Sequence, residues 1–193
     1  MRTGILGGSF DPIHHGHLIL AEDAANELQL DRVIFMVAGD APLRETPYAA
    51  AKEDRLVMVR QAVQTHPLFE VSSLECERPG PSYSIDTILE LSKQHPDDSF
   101  WWILGEDQLS RLENWHRVDA LVERIRFACL SRHNTIENAA PVHGARVDHL
   151  RPRRVDISAT EIRAAMQKGE SVSALLPEKV HAYIQQKKLY AGC

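Results

Sequence analysis

Short apolar runs alternate along the chain with stretches whose apolar residues recur at helical spacing. Gly4-Ile5-Leu6, Arg32 to Val37, Phe69-Glu70-Val71, Phe100 to Leu104, Arg126 to Leu130 and Val147 to Leu150 read as strands. The run from Arg32 to Val37 is long enough for a strand buried on both faces. Between these runs the period changes. From His17 onward Leu18, Ala21, Ala24, Ala25 and Leu28 fall on one face at 3.6 residues per turn. Ala49 to Gln64 predicts a second helix, with Leu56, Val57, Met58, Val59 and Val63 on its apolar side. Further helices are expected from Ser82–Ser84 to Leu91, from Ser158, and from Val180 to Tyr190 with Pro177 in the first turn. Residues 72–81 are polar and end in Arg78-Pro79-Gly80-Pro81, which predicts irregular chain. Residues 131–155 are the least readable stretch.

Strand and helix patterns that alternate predict an α/β fold with a mostly parallel sheet. In such sheets ligands sit beyond the carboxyl ends of the strands. The loops at 7–17 and 38–48 therefore belong to one rim.

Composition narrows the class. The chain has 193 residues, which suits one domain over 1–193 with a sizeable core. Its net charge of −5 argues against non-specific nucleic-acid binding, while leaving room for a local basic patch. No apolar run approaches membrane-spanning length and no signal-peptide pattern precedes the first strand. Cys76, Cys129 and Cys193 are odd in number, widely spaced and without a Cys-x-x-Cys pair. They fit a reduced, cytoplasmic setting and argue against a disulfide framework or a zinc ribbon.

The chemistry concentrates where the first strand gives way to the first helix. Gly7, Gly8 and Ser9 are followed by Asp11-Pro12 and then by His14, His15 and His17 around Gly16. Paired glycines let a phosphate approach the main chain, and a helix N-terminus offers it N–H groups. His14 and His17 can both face that space and donate to phosphoryl oxygens. Alone, the glycines would be a tight turn, and the histidines a solvated loop or a chance metal site. Neither reading accounts for the whole order of strand, Gly-Gly, Asp-Pro, His-x-Gly-His and helix.

Other segments add to this. Ser158 is a candidate N-cap and Glu161 completes a capping box. Thr160 and Arg163 nearby make that helix start a second anion site. Ser82 or Ser84 can cap the helix that follows Tyr83. Gly105-Glu106-Asp107 follows a central strand, where a ribose or amide contact is expected. Trp115 stands among Glu113, Asn114, His116 and Arg117, which places it at a surface or cleft, whereas Trp101 and Trp102 read as core. The basic run Arg151-Pro152-Arg153-Arg154 reads as a solvated loop ahead of a triphosphate contact.

Gly7 to His17 resembles the signature of the nucleotidyltransferases that carry a His/Thr-x-Gly-His motif. Within them it is most similar to the bacterial nicotinate-nucleotide adenylyltransferases, which join the AMP part of ATP to nicotinate mononucleotide. Ile157-Ser158-Ala159-Thr160-Glu161-Ile162-Arg163 resembles the second signature, Ile-Ser-x-Thr-x-x-Arg. Ser82 to Thr87 resembles Ser-Tyr-Thr-x-x-Thr, and Gly105 to Trp115 resembles Gly-x-Asp-x-Leu-x-x-Leu-x-x-Trp. Ala41-Pro42-Leu43-Arg44 departs from the family's Pro-Pro-His-Lys: Arg44 keeps a cation, and Leu43 cannot donate to a phosphate.

The resemblance implies a Rossmann-like doubly wound sheet with helices on both faces and a small C-terminal helical portion. It implies catalysis by His14 and His17. ATP would be bound by Gly7, Gly8, Ser9, Phe10, His14, His17, Gly105, Ile157, Ser158, Thr160 and Arg163. Nicotinate mononucleotide would be bound by Asp40, Arg44, Ser82, Tyr83, Ser84, Asp107, Trp115 and His116. Mg²⁺ would arrive with ATP, on few protein ligands. No nucleic acid or membrane is called for, and a homo-oligomer is compatible with the pattern. Three alternatives remain. One is a related adenylyltransferase using nicotinamide mononucleotide or phosphopantetheine. Another is a non-catalytic nucleotide-binding module. The last is a zinc hydrolase built on the histidines.

Overall fold

Each of the six apolar runs forms a strand: β1 (Arg2–Gly8), β2 (Arg32–Val37), β3 (Phe69–Ser72), β4 (Ser99–Gly105), β5 (Arg126–Leu130) and β6 (Val147–Leu150). The structure is a computed structural model and describes residues 1–42, 46–131 and 142–191. All strand pairs are parallel, in the order β3-β2-β1-β4-β5-β6. The helices are α1 (His15–Leu28), α2 (Lys52–Val63), α3 (Leu74–Glu77), α4 (Ser84–Gln94), α5 (Glu106–Leu109), α6 (Val118–Val122), α7 (Ala159–Gln167) and α8 (Glu178–Lys187).

Alternating side chains divide the core between the two faces of the sheet, as the strand period of two requires. Trp101 and Ile103 pack with Ala21 and Ala24 of α1, Met58 and Val59 of α2, Ile162 of α7 and Ile184 of α8. Phe100, Trp102 and Leu104 pack on the other face with Ile85 and Ile88 of α4 and Leu121 of α6. The sheet is thus doubly wound. It reverses direction between β1 and β4, the position where such sheets open a ligand crevice. The register shows the opening. β1 pairs with β2 through Gly8 but with β4 only as far as Leu6.

The opposite, amino-terminal edge is closed by charge. Asp98 accepts hydrogen bonds from Thr3 (2.7 Å) and Arg32 (2.7 Å) and pairs with the N-terminal ammonium at 3.1 Å. Burial pushes the Asp98 carboxyl up, but these donors outweigh it and hold it at about 2.

Several boundaries differ from the sequence reading for identifiable reasons. β1 includes Gly7 and Gly8, which stay paired with Met36 and Val37 instead of turning. α2 starts at Lys52 because the N–H groups of Ala49 and Ala50 donate to the Asp11 carboxylate. The 72–81 stretch contains one helical turn, α3. Tyr83, and neither Ser82 nor Ser84, is the N-cap of α4. The last helix ends at Lys187, where Lys188 turns left-handed (φ 53°).

Candidate active site

At the carboxyl end of β1 the main chain is aimed by its neighbours. The Gly8 carbonyl accepts the Ala38 N–H at 2.9 Å, toward β2. A trans peptide points its N–H opposite to its C=O, so the Ser9 N–H faces away from β2, over the crevice. Phe10 then adopts φ 48°. Its ring is buried beneath the loop, 5.0 Å from the His17 ring and 5.8 Å from Phe35 between centroids. What Phe10 presents to a ligand is therefore main chain. The peptide between Asp11 and Pro12 is cis.

His14 caps α1 in extended conformation, and its N–H donates to Nδ1 of His17 at 3.3 Å. That bond leaves the His17 proton on Nε2. The two imidazoles stack, centroids 3.7 Å apart. A Cβ on Gly16 would lie 2.9 Å from His14 Nδ1, so only glycine lets the rings close over the helix start. Burial, reinforced by His15, lowers His14 to about 4. Burial and the adjacent His14 hold His17 well below its ordinary value as well. Both are neutral hydrogen-bond donors at physiological pH.

The second signature meets this loop. Ser158 is the N-cap of α7, but its hydroxyl makes no capping bond, so the expected box with Glu161 does not form. The first-turn N–H groups of α7 are left for another acceptor. Arg163 donates to the Asp11 carbonyl at 2.7 Å and to the Thr160 hydroxyl at 3.3 Å. Ile157 packs at the edge of the core beside them. Of the basic run, Arg153 is held by Asp23 (2.7 Å) and Glu22 (2.8 Å) of α1, as a solvated structural loop would be.

A cavity of about 830 Å³ opens beside the phosphate loop. Of the expected residues, Gly7, Gly8, Ser9, Ser82, Tyr83, Ser84, Asp107, Trp115 and His116 line it. Trp115 stands edge-on to Trp102 at 5.9 Å, and the Tyr83 and His116 rings lie 4.2 Å apart. Phe10, His14, His17, Asp40, Gly105, Ile157, Ser158, Thr160 and Arg163 are not among its lining residues. Asp40 acts through its carbonyl, which accepts the Ser82 N–H at 2.8 Å and ties the loop after β2 to the Tyr83 segment. Arg44 and Leu43 lie outside the described residues.

The sequence and the fold have counterparts among known proteins. The cytidylyltransferase-like family model matches residues 5–165. A probable nicotinate-nucleotide adenylyltransferase of Geobacillus thermodenitrificans is 40% identical over 99% of this chain and 87% of its own. One from Opitutus terrae is 40% identical over 98% of each chain. The chain belongs to the cytidylyltransferase-like family and, within it, to the nicotinate-nucleotide adenylyltransferases. The fold is also that of the Plasmodium falciparum nicotinic acid mononucleotide adenylyltransferase solved in complex with NaAD. That structure matches at a TM-score of 0.81 and 18% identity, over 98% of this chain and 97% of that one.

The same region holds buried residues that sequence reasoning passed over. Asp11, fully buried, accepts the Ala49 and Ala50 N–H groups and, from the far end of the chain, the Tyr190 hydroxyl at 2.7 Å. Glu75, also buried, lines the cavity and accepts the Thr87 hydroxyl at 2.8 Å. Burial pushes its carboxyl up, against the bond from Thr87. Gly39 is in contact with the same turn: a Cβ there would lie 2.1 Å from the Glu75 carbonyl. The acid two residues before Glu77-Arg78-Pro79 was visible in the sequence, but its burial was not.

Proposed function

We propose that this chain transfers the AMP moiety of ATP to nicotinate mononucleotide, releasing pyrophosphate and giving nicotinate adenine dinucleotide. The observation that carries the reading is the meeting of both phosphate signatures at one loop: Arg163 of α7 bonds the Asp11 carbonyl, three residues before His14. Beside that loop lies a cavity walled by aromatic rings, suited to a pyridine nucleotide.

The attacking group is a phosphate that is already anionic, so no general base is needed. One oxygen of the acceptor phosphate bonds to the α-phosphorus of ATP. The bond from that phosphorus to the bridging oxygen breaks, and pyrophosphate leaves with the electron pair. The displacement is in line and forms no covalent enzyme intermediate. The protein positions the reactants and supplies charge stabilisation. His17 Nε2–H serves the α-phosphate, and His14 the bridging or β-phosphate. Ser9 and Phe10 contribute main-chain N–H groups. Ser158, Thr160 and Arg163 at the start of α7 orient the leaving group, aided by the helix dipole. Tyr83, Trp115 and His116 face the pyridine ring, and Asp107 the sugar end.

The groups around the phosphate loop are N–H and guanidinium donors, which suit anions and not a hard cation. Among the described residues no cluster of three His, Cys, Asp or Glu forms a metal site. We therefore place Mg²⁺ on the oxygens of ATP itself, where it would neutralise phosphate charge. Among the described residues no helix is long and apolar enough to cross a membrane. The unpaired buried thiols of Cys76 and Cys129 support a cytoplasmic location.

Incubating the purified protein with ATP, Mg²⁺ and nicotinate mononucleotide tests the reading. Nicotinate adenine dinucleotide and pyrophosphate are expected in equal amounts; pyrophosphate without the dinucleotide, or neither product, contradicts it.

A further inference from the structure

Among the described residues the largest fully buried side chain is not apolar. Arg55, in the first turn of α2, is wholly enclosed. Its guanidinium donates to the Ser9 carbonyl at 2.6 Å and to the Ala38 carbonyl at 2.8 Å. One cation thereby ties together the carboxyl-terminal exits of β1 and β2. Its other contact is the Tyr48 ring, 3.9 Å from the guanidinium carbon. No carboxylate forms a direct ion pair with it among the described residues; burial lowers its pKa, against the favourable charge of nearby groups that include Asp11. A buried cation lacking such a partner is costly to a fold. A methionine of similar length would fill the space without that cost but would strip both carbonyls of their donor, so packing alone does not explain the arginine.

The position of the Ser9 carbonyl does. Because C=O and N–H of a trans peptide point in opposite directions, pulling the Ser9 oxygen back toward α2 turns the Phe10 N–H forward. That N–H has no partner among the described residues, and neither has the Ser9 N–H. With Phe10 left-handed, the two make a small concavity of donors of the kind that holds anions.

We propose that Arg55 is a positioning residue of the phosphate site, holding the Ser9 and Ala38 carbonyls from behind so that the Phe10 N–H faces a bound phosphate. The proposal rests on the reading of the 7–17 loop as the phosphate-binding loop.

The test uses Arg55→Lys and Arg55→Met in protein labelled with ¹⁵N-phenylalanine. In the wild-type protein the Phe10 amide resonance moves downfield on addition of Mg-ATP. In both variants this movement is lost while the Phe127 amide keeps its wild-type position. Turnover falls about tenfold in Arg55→Lys and about a hundredfold in Arg55→Met, the scale of losing one aligned donor. KM for nicotinate mononucleotide stays near wild type. Arg55→Lys keeps the charge but lacks the planar fork whose two nitrogens each hold one carbonyl, so it decides the matter if Arg55→Met does not fold. Lowered Tm with wild-type turnover and a wild-type Phe10 response would overturn the proposal and leave Arg55 a packing residue. A wild-type protein whose Phe10 amide ignores ATP would instead overturn the phosphate-loop reading beneath it.

Discussion

His14 and His17 lie face to face, ring centroids 3.7 Å apart and planes 27° from parallel, and the His14 N–H occupies Nδ1 of His17. The His17 ring is thereby fixed in tautomer by the His14 main-chain N–H and in direction by the stacking. A neutral Nε2–H held in this way needs no reorganisation when charge builds on a phosphoryl oxygen. His17→Ala should lower kcat by about 10²–10³-fold, the usual effect of removing one such donor. ATP affinity, measured by calorimetry, should change little, because most contacts to the triphosphate remain. Turnover near wild type would remove His17 from the mechanism.

The same burial makes the loop sensitive to acid. His14 binds its proton at about 4 in the fold and at 6.5 in the unfolded chain. Between those values the unfolded chain holds more protons, so stability falls as pH falls through the window. His14 contributes about 3 kcal/mol above pH 6.5, and all of it is gone below pH 4. His17 acts in the same direction. Urea unfolding at pH 7.5 and pH 5 should show a clear loss for the wild-type protein. The loss should be smaller in His14→Ala.

Asp11 joins the loop to Tyr190, which follows the last helix, as well as to Ala49 and Ala50. Tyr190→Phe removes a buried hydrogen bond to a carboxylate, which costs about 2 kcal/mol. Because Asp11 also carries the Arg163 contact on its carbonyl, turnover should fall along with the urea midpoint. A midpoint shift with unchanged kcat would show that the C-terminus braces the fold without tuning the site.

At the other end of the sheet the expectation is reversed. Asp98 serves Thr3, Arg32 and the N-terminus, on the edge opposite the crevice. Asp98→Asn leaves Arg32 with only the half-exposed Glu70 carboxylate at 3.1 Å and should cost about 2 kcal/mol. kcat/KM of the folded enzyme should stay at the wild-type value.

The central strands were legible because β2, β4 and β5 are short runs of mostly apolar residues that leave few other readings. β2, β5 and β6 fall on the predicted residues. What the sequence hid was long-range polar contact. Ala49 and Ala50 have good helix propensity, yet a carboxylate 38 and 39 residues away takes their N–H groups and delays α2 to Lys52. Ser158 and Glu161 have the spacing of a capping box, but the Ser158 hydroxyl makes no capping bond. Arg55 and Glu75 are charged residues that local pattern assigns to the surface, and only the packed structure shows them enclosed. Tyr190 lies at the end of the chain, where sequence position gives no hint of contact with Asp11. The motif residues could be read because their order is local; the residues behind them are assembled by the fold.

The most direct measurement is kcat/KM for pyrophosphate release from Mg-ATP with three acceptors in parallel: nicotinate mononucleotide, nicotinamide mononucleotide and phosphopantetheine. The ring-walled cavity beside the phosphate loop predicts turnover with nicotinate mononucleotide at least about tenfold more efficient than with either alternative, a difference of about 1.4 kcal/mol. Equal or better turnover with another acceptor, or none with any of the three, would contradict the account.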